Sequence, residues 1–156
     1  MLTIPQSAYR QLRRHGETAY PEECCGVLVG TVLDGSRLVA QAIAMPNASP
    51  TPRNHYAIDP RGLVAILRDA MSCGQEILGF YHSHPDHPAH WSPTDFAEAH
   101  WLDCSYLITS VKEGAAAATV AFRLAGTSEE EKHFEAEGLC VLDSGAEFPQ
   151  ESIAIS

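Results

Sequence analysis

The 156-residue chain has no run of about 18 consecutive apolar residues, so no membrane-spanning helix is expected. Its opening stretch, MLTIPQSAYRQLRRHG, lacks an apolar h-region, so no secretory signal is expected there. Basic residues are scarce, with ten Lys and Arg against twenty Asp and Glu and a net charge of -10. Nucleic acids and anionic membranes are held by a basic face, so neither is an expected partner. No C-x-x-C pair occurs among the five cysteines Cys24, Cys25, Cys73, Cys104 and Cys140. Their number is odd, and adjacent Cys24 and Cys25 are poorly placed to bridge each other. The expectation is a cytoplasmic protein with reduced thiols and no four-thiolate zinc site. Internal repeats and convincing linkers are also missing.

What remains is an ordinary globular composition, 45% hydrophobic, at the length of one domain. The unusual count is eight histidines. Histidine is the commonest metal ligand and titrates near neutral pH, which directs attention to a metal site without locating one. The negative charge is local. Residues 128–151 hold eight acids and one base, whereas residues 1–127 hold twelve acids and nine bases. We therefore divide the chain into a main domain, 1–127, and an acidic C-terminal strand or tail, 128–156, that belongs to it or is partly mobile.

Hydrophobic periodicity predicts a helix from Pro5 to about Arg14, with Ala8, Tyr9 and Leu12 on one side and Gly16 after its end. Cys25–Leu33 and Arg37–Met45 read as strands joined at Asp34-Gly35. His55–Ile58 reads as a short strand. A second helix, about Arg61 to Ser72, turns Leu63, Ile66, Leu67 and Ala70 inward and stops at Gly74. Glu76–His82 is a strand leading into HSHPDHPAHWSPTD. Ser92-Pro93 resembles an N-cap and a first-turn proline, opening a helix to about Leu102. Cys104–Val111 and Ala116–Leu124 are two further strands around a turn at Glu113-Gly114, and Lys132–Glu137 is a last edge strand. The fold class is α/β (α+β), a single mixed sheet flanked by helices.

His82 and His84 are two apart near a strand end, so their imidazoles face one side. A bare His-x-His pair is common at solvated strand ends and proves little. Asp95 lies eleven residues further on, near the start of the third helix, where a carboxylate is favoured. Two His and one carboxylate leave a fourth position open, which is the layout of a catalytic zinc. The whole string, H-x-H-x7-S-x2-D, is far more specific than the pair.

That string, with PEECCGVLVG upstream, resembles the JAMM (MPN-plus, JAB-type) metalloprotease family. Asn47, Tyr56, Ile58-Asp59-Pro60 and the apolar run ILGFYH add weaker similarity. The resemblance spans about Pro21 to Val111. It implies the MPN fold, similar in general layout to cytidine deaminases. It also implies Zn2+ held by His82, His84 and Asp95, with Glu23 as general base and then general acid. Ser92 matches the family serine that helps hold the oxyanion, although capping the third helix is an equally available role. Chemically, a carboxylate beside an activated water can take its proton and pass it to a leaving amine. His87 and His90 read as solvated or supporting side chains, with a second-metal role the alternative. Trp91 reads as packing, with substrate contact the alternative. His55 and His100 lack motif support. A Cys24 or Cys25 nucleophile is conceivable beside Glu23.

HSHPDHPA is especially similar to bacterial members acting on sulfur carriers of the ThiS/MoaD kind, which have a β-grasp fold and end in Gly-Gly. The implied function is a zinc-dependent metallopeptidase cutting after that Gly-Gly, releasing cysteine or a short extension, in cysteine biosynthesis or a related pathway. The implied partner is therefore a ubiquitin-like (β-grasp) sulfur-carrier protein, and monomer and homodimer both stay open. A general isopeptidase for ubiquitin-like proteins is the alternative, phage-tail-type partners included. A non-catalytic MPN module usually lacks a ligand, and here all three are present. A zinc deaminase would need H-x-E with P-C-x-x-C, and neither occurs.

Overall fold

The computed structural model of the chain describes residues 1–143. Residues 144–156 of the acidic segment lie outside the described residues. The elements run β1 (Leu2–Pro5), α1 (Gln6–Ala19), β2 (Cys25–Leu33), β3 (Ser36–Met45), α2 (Pro60–Ser72), β4 (Glu76–Pro85), α3 (Pro93–Glu98), β5 (Ser105–Lys112), β6 (Ala115–Ala125), β7 (His133–Glu137) and β8 (Leu139–Leu142). All eight strands form one mixed sheet in the order β7-β6-β5-β4-β2-β3-β1-β8. The α+β class follows from the sequence, and no described helix is long and apolar enough to cross a membrane.

The β2–β3 hairpin follows its turn chemistry. Asp34 and Gly35 both take positive φ (50° and 79°), as a tight hairpin turn requires, and Cys25 ends opposite Met45. Each face of the sheet carries its own apolar layer. Leu2, Ile4, Leu28, Val39, Leu78, Tyr81 and Leu107 pack with Ala8 and Leu12 of α1. Val27, Val29, Ile77, Phe80, Tyr106 and Leu124 pack with Ala70 of α2, and Leu63, Ile66 and Leu67 lie partly buried against them.

Several boundaries differ from those read in the sequence. Helix α1 runs through Gly16 to Ala19 instead of stopping before Gly16. The glycine is there for space: a Cβ at that position would stand 3.1 Å from Val111 Cγ2 and 3.3 Å from Ser83 Cβ. Pro5 ends a short strand and caps α1, because Leu2–Pro5 finds parallel partners in β3 and β8. His55–Ile58 is not a strand; Asn47 takes the place of a ladder partner by accepting from Ala57 N–H (3.1 Å). Helix α3 ends at Glu98 rather than near Leu102, and its last carbonyls, Ala97 and Ala99, accept from Lys132 Nζ (3.3 and 2.9 Å). Beyond Thr127 the chain supplies both outer strands, β7 beside β6 and β8 beside β1.

A buried cation ties β7 to strands inside the sheet. Arg37 on β3 donates to Glu137 Oε2 (2.8 Å), Ser105 Oγ (2.5 Å) and the carbonyls of Leu78 (2.8 Å) and Asp103 (3.1 Å). Ser105 Oγ in turn hydrogen-bonds Glu137 Oε1. Every partner lies at the end of the sheet where β5 begins, and the charge is neutralised there.

Candidate metal centre

Strand β4 lies between β2 and the parallel strand β5, buried from Ile77 to Pro85. Alternation sends Tyr81 and Ser83 toward α1, leaving Phe80, His82 and His84 on the face that α2 and α3 cover. Asp95 is brought opposite by a capping box. Ser92 Oγ accepts from Asp95 N–H (3.0 Å), and Asp95 Oδ2 accepts from Ser92 N–H (2.9 Å), with Pro93 setting the first turn.

Three atoms converge as a result. His82 Nε2 stands 3.1 Å from His84 Nε2, and Asp95 Oδ2 stands 3.2 Å from the first and 3.0 Å from the second. Four ligands about 2.1 Å from a tetrahedral ion have donor atoms about 3.4 Å apart, so the triangle has the edge lengths a small cation needs. The donor set, two imidazoles and a carboxylate, suits zinc. His84 Nδ1 donates to the Pro88 carbonyl (2.9 Å), which orients the ring so that Nε2 faces the other two donors. His82 is fixed differently: the Tyr56 ring stacks on it at 4.4 Å between centroids and 24° between planes.

Two buried polar atoms at this centre, His82 Nδ1 and Glu23 Oε1, have no hydrogen-bond partner among the described residues. Orphans of this kind are uncommon and mark places where a ligand or proton is expected. Glu23 enters from the loop before β2, and its carboxylate, His82 and His84 offer ligand atoms within 4.8 Å of one another. The triangle that the two histidines make with Asp95 is the tighter one, with edges of 3.0–3.2 Å.

The titration pattern separates the two carboxylates. Burial pushes Glu23 up to about 7, with His84 pulling it back and Asp95 adding to the rise. Burial alone would raise Asp95 as well. Hydrogen bonds from His82, His84 and the Ser92 amide override it and hold that carboxyl well below the usual range. Burial lowers His82; it opposes His84 too, but the bond to Asp95 and the Pro88 carbonyl carry that imidazole upward. One neutral-leaning acid beside one firmly ionised acid is how a single site assigns two roles. Burial also pushes the Cys24 and Cys25 thiols up to about 11 and about 12, so neither is a thiolate nucleophile at neutral pH.

The centre opens into a groove of about 340 Å3 lined by Glu23, Asn54, His84, His87, His90, Trp91, Ser92 and Asp95, among others. The structure therefore brings all five sequence-selected residues, Glu23, His82, His84, Ser92 and Asp95, to one place. Trp91 packs on Phe96 and Phe134 (5.6 and 5.5 Å). His90 Nδ1 donates to the Trp91 carbonyl (2.9 Å). His55, which no motif singled out, pairs with Glu98 (2.7 Å) and Ser49 Oγ (2.6 Å). Sequence reading missed the tautomer-fixing carbonyl of Pro88, which leaves no side-chain signature, and gave no role to Tyr56.

A mixed α+β domain with two strand imidazoles and a helix-start carboxylate around one point, and a raised glutamate alongside, defines a candidate metal centre of hydrolytic type. The chain belongs to the family of prokaryotic homologs of the JAB domain, whose pattern matches residues 5–125. It is 41% identical over 90 residues to the desampylase of Haloferax volcanii, which covers 58% of this chain and 63% of that protein. It is 35% identical over 101 residues to a probable TtuB-protein conjugate cleaving protease of Thermus thermophilus, 65% of each chain. It is 28% identical over 113 residues to the CysO-cysteine peptidase of Mycobacterium tuberculosis, 72% of this chain and 75% of that one. The matches thus span just under two thirds of the first two relatives. A solution structure from Salinibacter ruber is similar at 38% identity, TM-score 0.67 and 95% of each chain. A JAB1/MPN domain protein from Archaeoglobus fulgidus shares the fold at TM-score 0.55 and 16% identity, over 90% of this chain and 99% of that one.

Proposed function

We propose that the protein is a zinc-dependent metallopeptidase that hydrolyses the bond after the C-terminal Gly-Gly of a ubiquitin-like sulfur-carrier protein. The carrying observation is the triangle of His82 Nε2, His84 Nε2 and Asp95 Oδ2, with edges of 3.0–3.2 Å, near the buried Glu23 Oε1 that has no partner among the described residues. The substrate class rests on the relatives, whose names concern TtuB-protein conjugates and CysO-cysteine.

When bound to His82, His84 and Asp95, zinc supplies Lewis acidity to water and to a carbonyl oxygen. Glu23 is the proton carrier. Its carboxyl, raised to about 7 by burial, accepts a proton from the attacking water and returns it to the departing amine at neutral pH. Ser92 Oγ already accepts from Asp95 N–H, which leaves its own hydroxyl proton to donate to the oxyanion. Capping and oxyanion support are therefore compatible in one side chain. Asp95 stays ionised throughout, and the Pro88 carbonyl keeps the His84 tautomer fixed.

A broader isopeptidase for ubiquitin-like conjugates is the second reading, favoured by the names of the desampylase and the conjugate-cleaving relative. Both are tested by mass spectrometry of β-grasp carriers ending in Gly-Gly, offered as carrier-cysteine and as a carrier-lysine isopeptide. Release of free carrier from the first, stopped by chelator, supports the first reading, and release from the second alone supports the second. Neither product with zinc-loaded protein removes both.

A further inference from the structure

Glu23 must reach the centre from a loop that contains no regular structure, and three contacts hold its backbone. Its N–H donates to the Pro52 carbonyl (2.7 Å). The next amide, Cys24 N–H, donates to Ser83 Oγ between the two histidines (2.8 Å). The Glu23 carbonyl accepts from Asn47 Nδ2 (3.0 Å). The same Nδ2 donates to the His55 carbonyl (3.0 Å), while Asn47 Oδ1 accepts from Ser49 N–H (3.0 Å) and Ala57 N–H (3.1 Å).

Both donors and both lone-pair directions of one carboxamide are used. The orientation is unambiguous, because two carbonyls demand the NH2 and two amides demand the oxygen. The segments joined in this way are those that deliver Glu23 and Tyr56. Residues 47–57 run irregularly past the centre, and Tyr56, between His55 and Ala57, is stacked on His82. Ala48 N–H donates to the Ala57 carbonyl across this loop (2.8 Å), and Asn47 adds the bonds that tie that pair to Glu23, whose carbonyl would otherwise lose its partner.

We propose that Asn47 is a positioning residue. By binding the Glu23 and His55 carbonyls and the Ser49 and Ala57 amides, it holds the Glu23 carboxylate and the Tyr56 ring in register with His82, His84 and Asp95. The inference rests on the proposed peptidase reading for its kinetic consequence, and on geometry alone for its structural one. Displacing a reacting group by about 1 Å costs on the order of 100-fold in rate. The effect acts through Glu23, since Asn47 touches neither substrate nor the three ligands.

The test is a cycle of Asn47→Asp and Glu23→Gln. Aspartate keeps the size and the two acceptances but turns an oxygen toward the two carbonyls. Asn47→Asp lowers kcat by about tenfold or more with KM nearly unchanged and zinc content retained, yet adds nothing in the Glu23→Gln background, since coupled residues are non-additive. An equal fold-loss in both backgrounds, or no loss of kcat, overturns the proposal. Amide exchange in metal-free protein gives an activity-independent arm. Exchange at Glu23 and Ala57 rises about tenfold while Phe80 and Tyr81 in β4 stay protected. Uniform acceleration, or none, overturns the positioning role. Wild-type protein that cleaves nothing while this exchange pattern holds would count against the peptidase reading and leave the positioning role supported. If Asn47→Asp fails to fold, Asn47→Ser, which keeps one donor in less volume, is read in the same two ways.

Discussion

His82 Nε2 and His84 Nε2 stand 3.1 Å apart with Asp95 Oδ2 within 3.2 Å of each. Two imidazole lone pairs and a carboxylate oxygen repel one another unless protons or a cation lie between them. The arrangement follows from the chain itself: β4 fixes the two rings, and a capping box fixes the carboxylate.

Zinc is expected to bind at one ion per chain and to raise the midpoint of thermal unfolding. At a hundredfold excess over the dissociation constant the gain is about 2.7 kcal/mol, roughly 5–10 °C for a domain of this size. His82→Ala and Asp95→Ala should abolish the shift while Glu23→Gln keeps it. Elemental analysis alongside scanning calorimetry checks this, and a shift surviving His82→Ala would move the metal elsewhere.

The raised Glu23 carboxyl predicts a pH dependence of stability in chelator. Its folded value of about 7 lies above the ordinary 4.5, so the folded state favours the neutral form. The contribution is fully favourable below about pH 4.5 and is lost as pH rises toward 7, by on the order of 3 kcal/mol. Glu23→Gln carries no such loss. Its unfolding midpoint relative to wild type should climb between pH 4.5 and 8 in EDTA, and a pH-independent difference would contradict the assignment.

The cap that Ser92 forms and the oxyanion support proposed for it are separable. Glycine is nearly as good an N-cap as serine, whereas alanine costs about 1 kcal/mol. Both lack the hydroxyl. If the hydroxyl supports the oxyanion, Ser92→Gly and Ser92→Ala lose about the same 100-fold or more in kcat despite different melting points. Activity that follows the melting points instead would reduce Ser92 to a cap.

Arg37 and Glu137 predict where the sheet is most sensitive. Arg37→Ala leaves a buried carboxylate on β7 without its cation and should cost about 3–5 kcal/mol. Arg37→Ala combined with Glu137→Ala should recover part of that loss. Denaturant unfolding of the three variants checks it, and strictly additive losses would contradict it.

Much of this molecule is legible in the sequence for identifiable reasons. The strand Cys25–Leu33 and the turn at Asp34-Gly35 are local, since an apolar run and a positive-φ pair need no tertiary partner to be recognised. The convergence of His82, His84 and Asp95 is legible because strand alternation and a helix N-terminus are both local patterns. Gly16 was misread because its reason is distant: the missing side chain makes room for Ser83 and Val111, contacts invisible to a local pattern. Leu2–Pro5 and Leu139–Leu142 are strands because they find each other across most of the chain. The third helix ends at Glu98, and the carbonyls of Ala97 and Ala99 there bind Lys132, which is 35 and 33 residues away in sequence. Asn47 is a single amide whose four partners lie between positions 23 and 57, and only the folded chain brings them together.

The most direct test is the mass of a β-grasp carrier ending in Gly-Gly-Cys after incubation with the zinc-loaded protein. One cysteine residue should be lost from the carrier. The loss should stop in chelator and return with added zinc, and Glu23→Gln should slow it by about 100-fold or more. An intact carrier with the zinc-loaded wild type, or equal cleavage by Glu23→Gln, would contradict it.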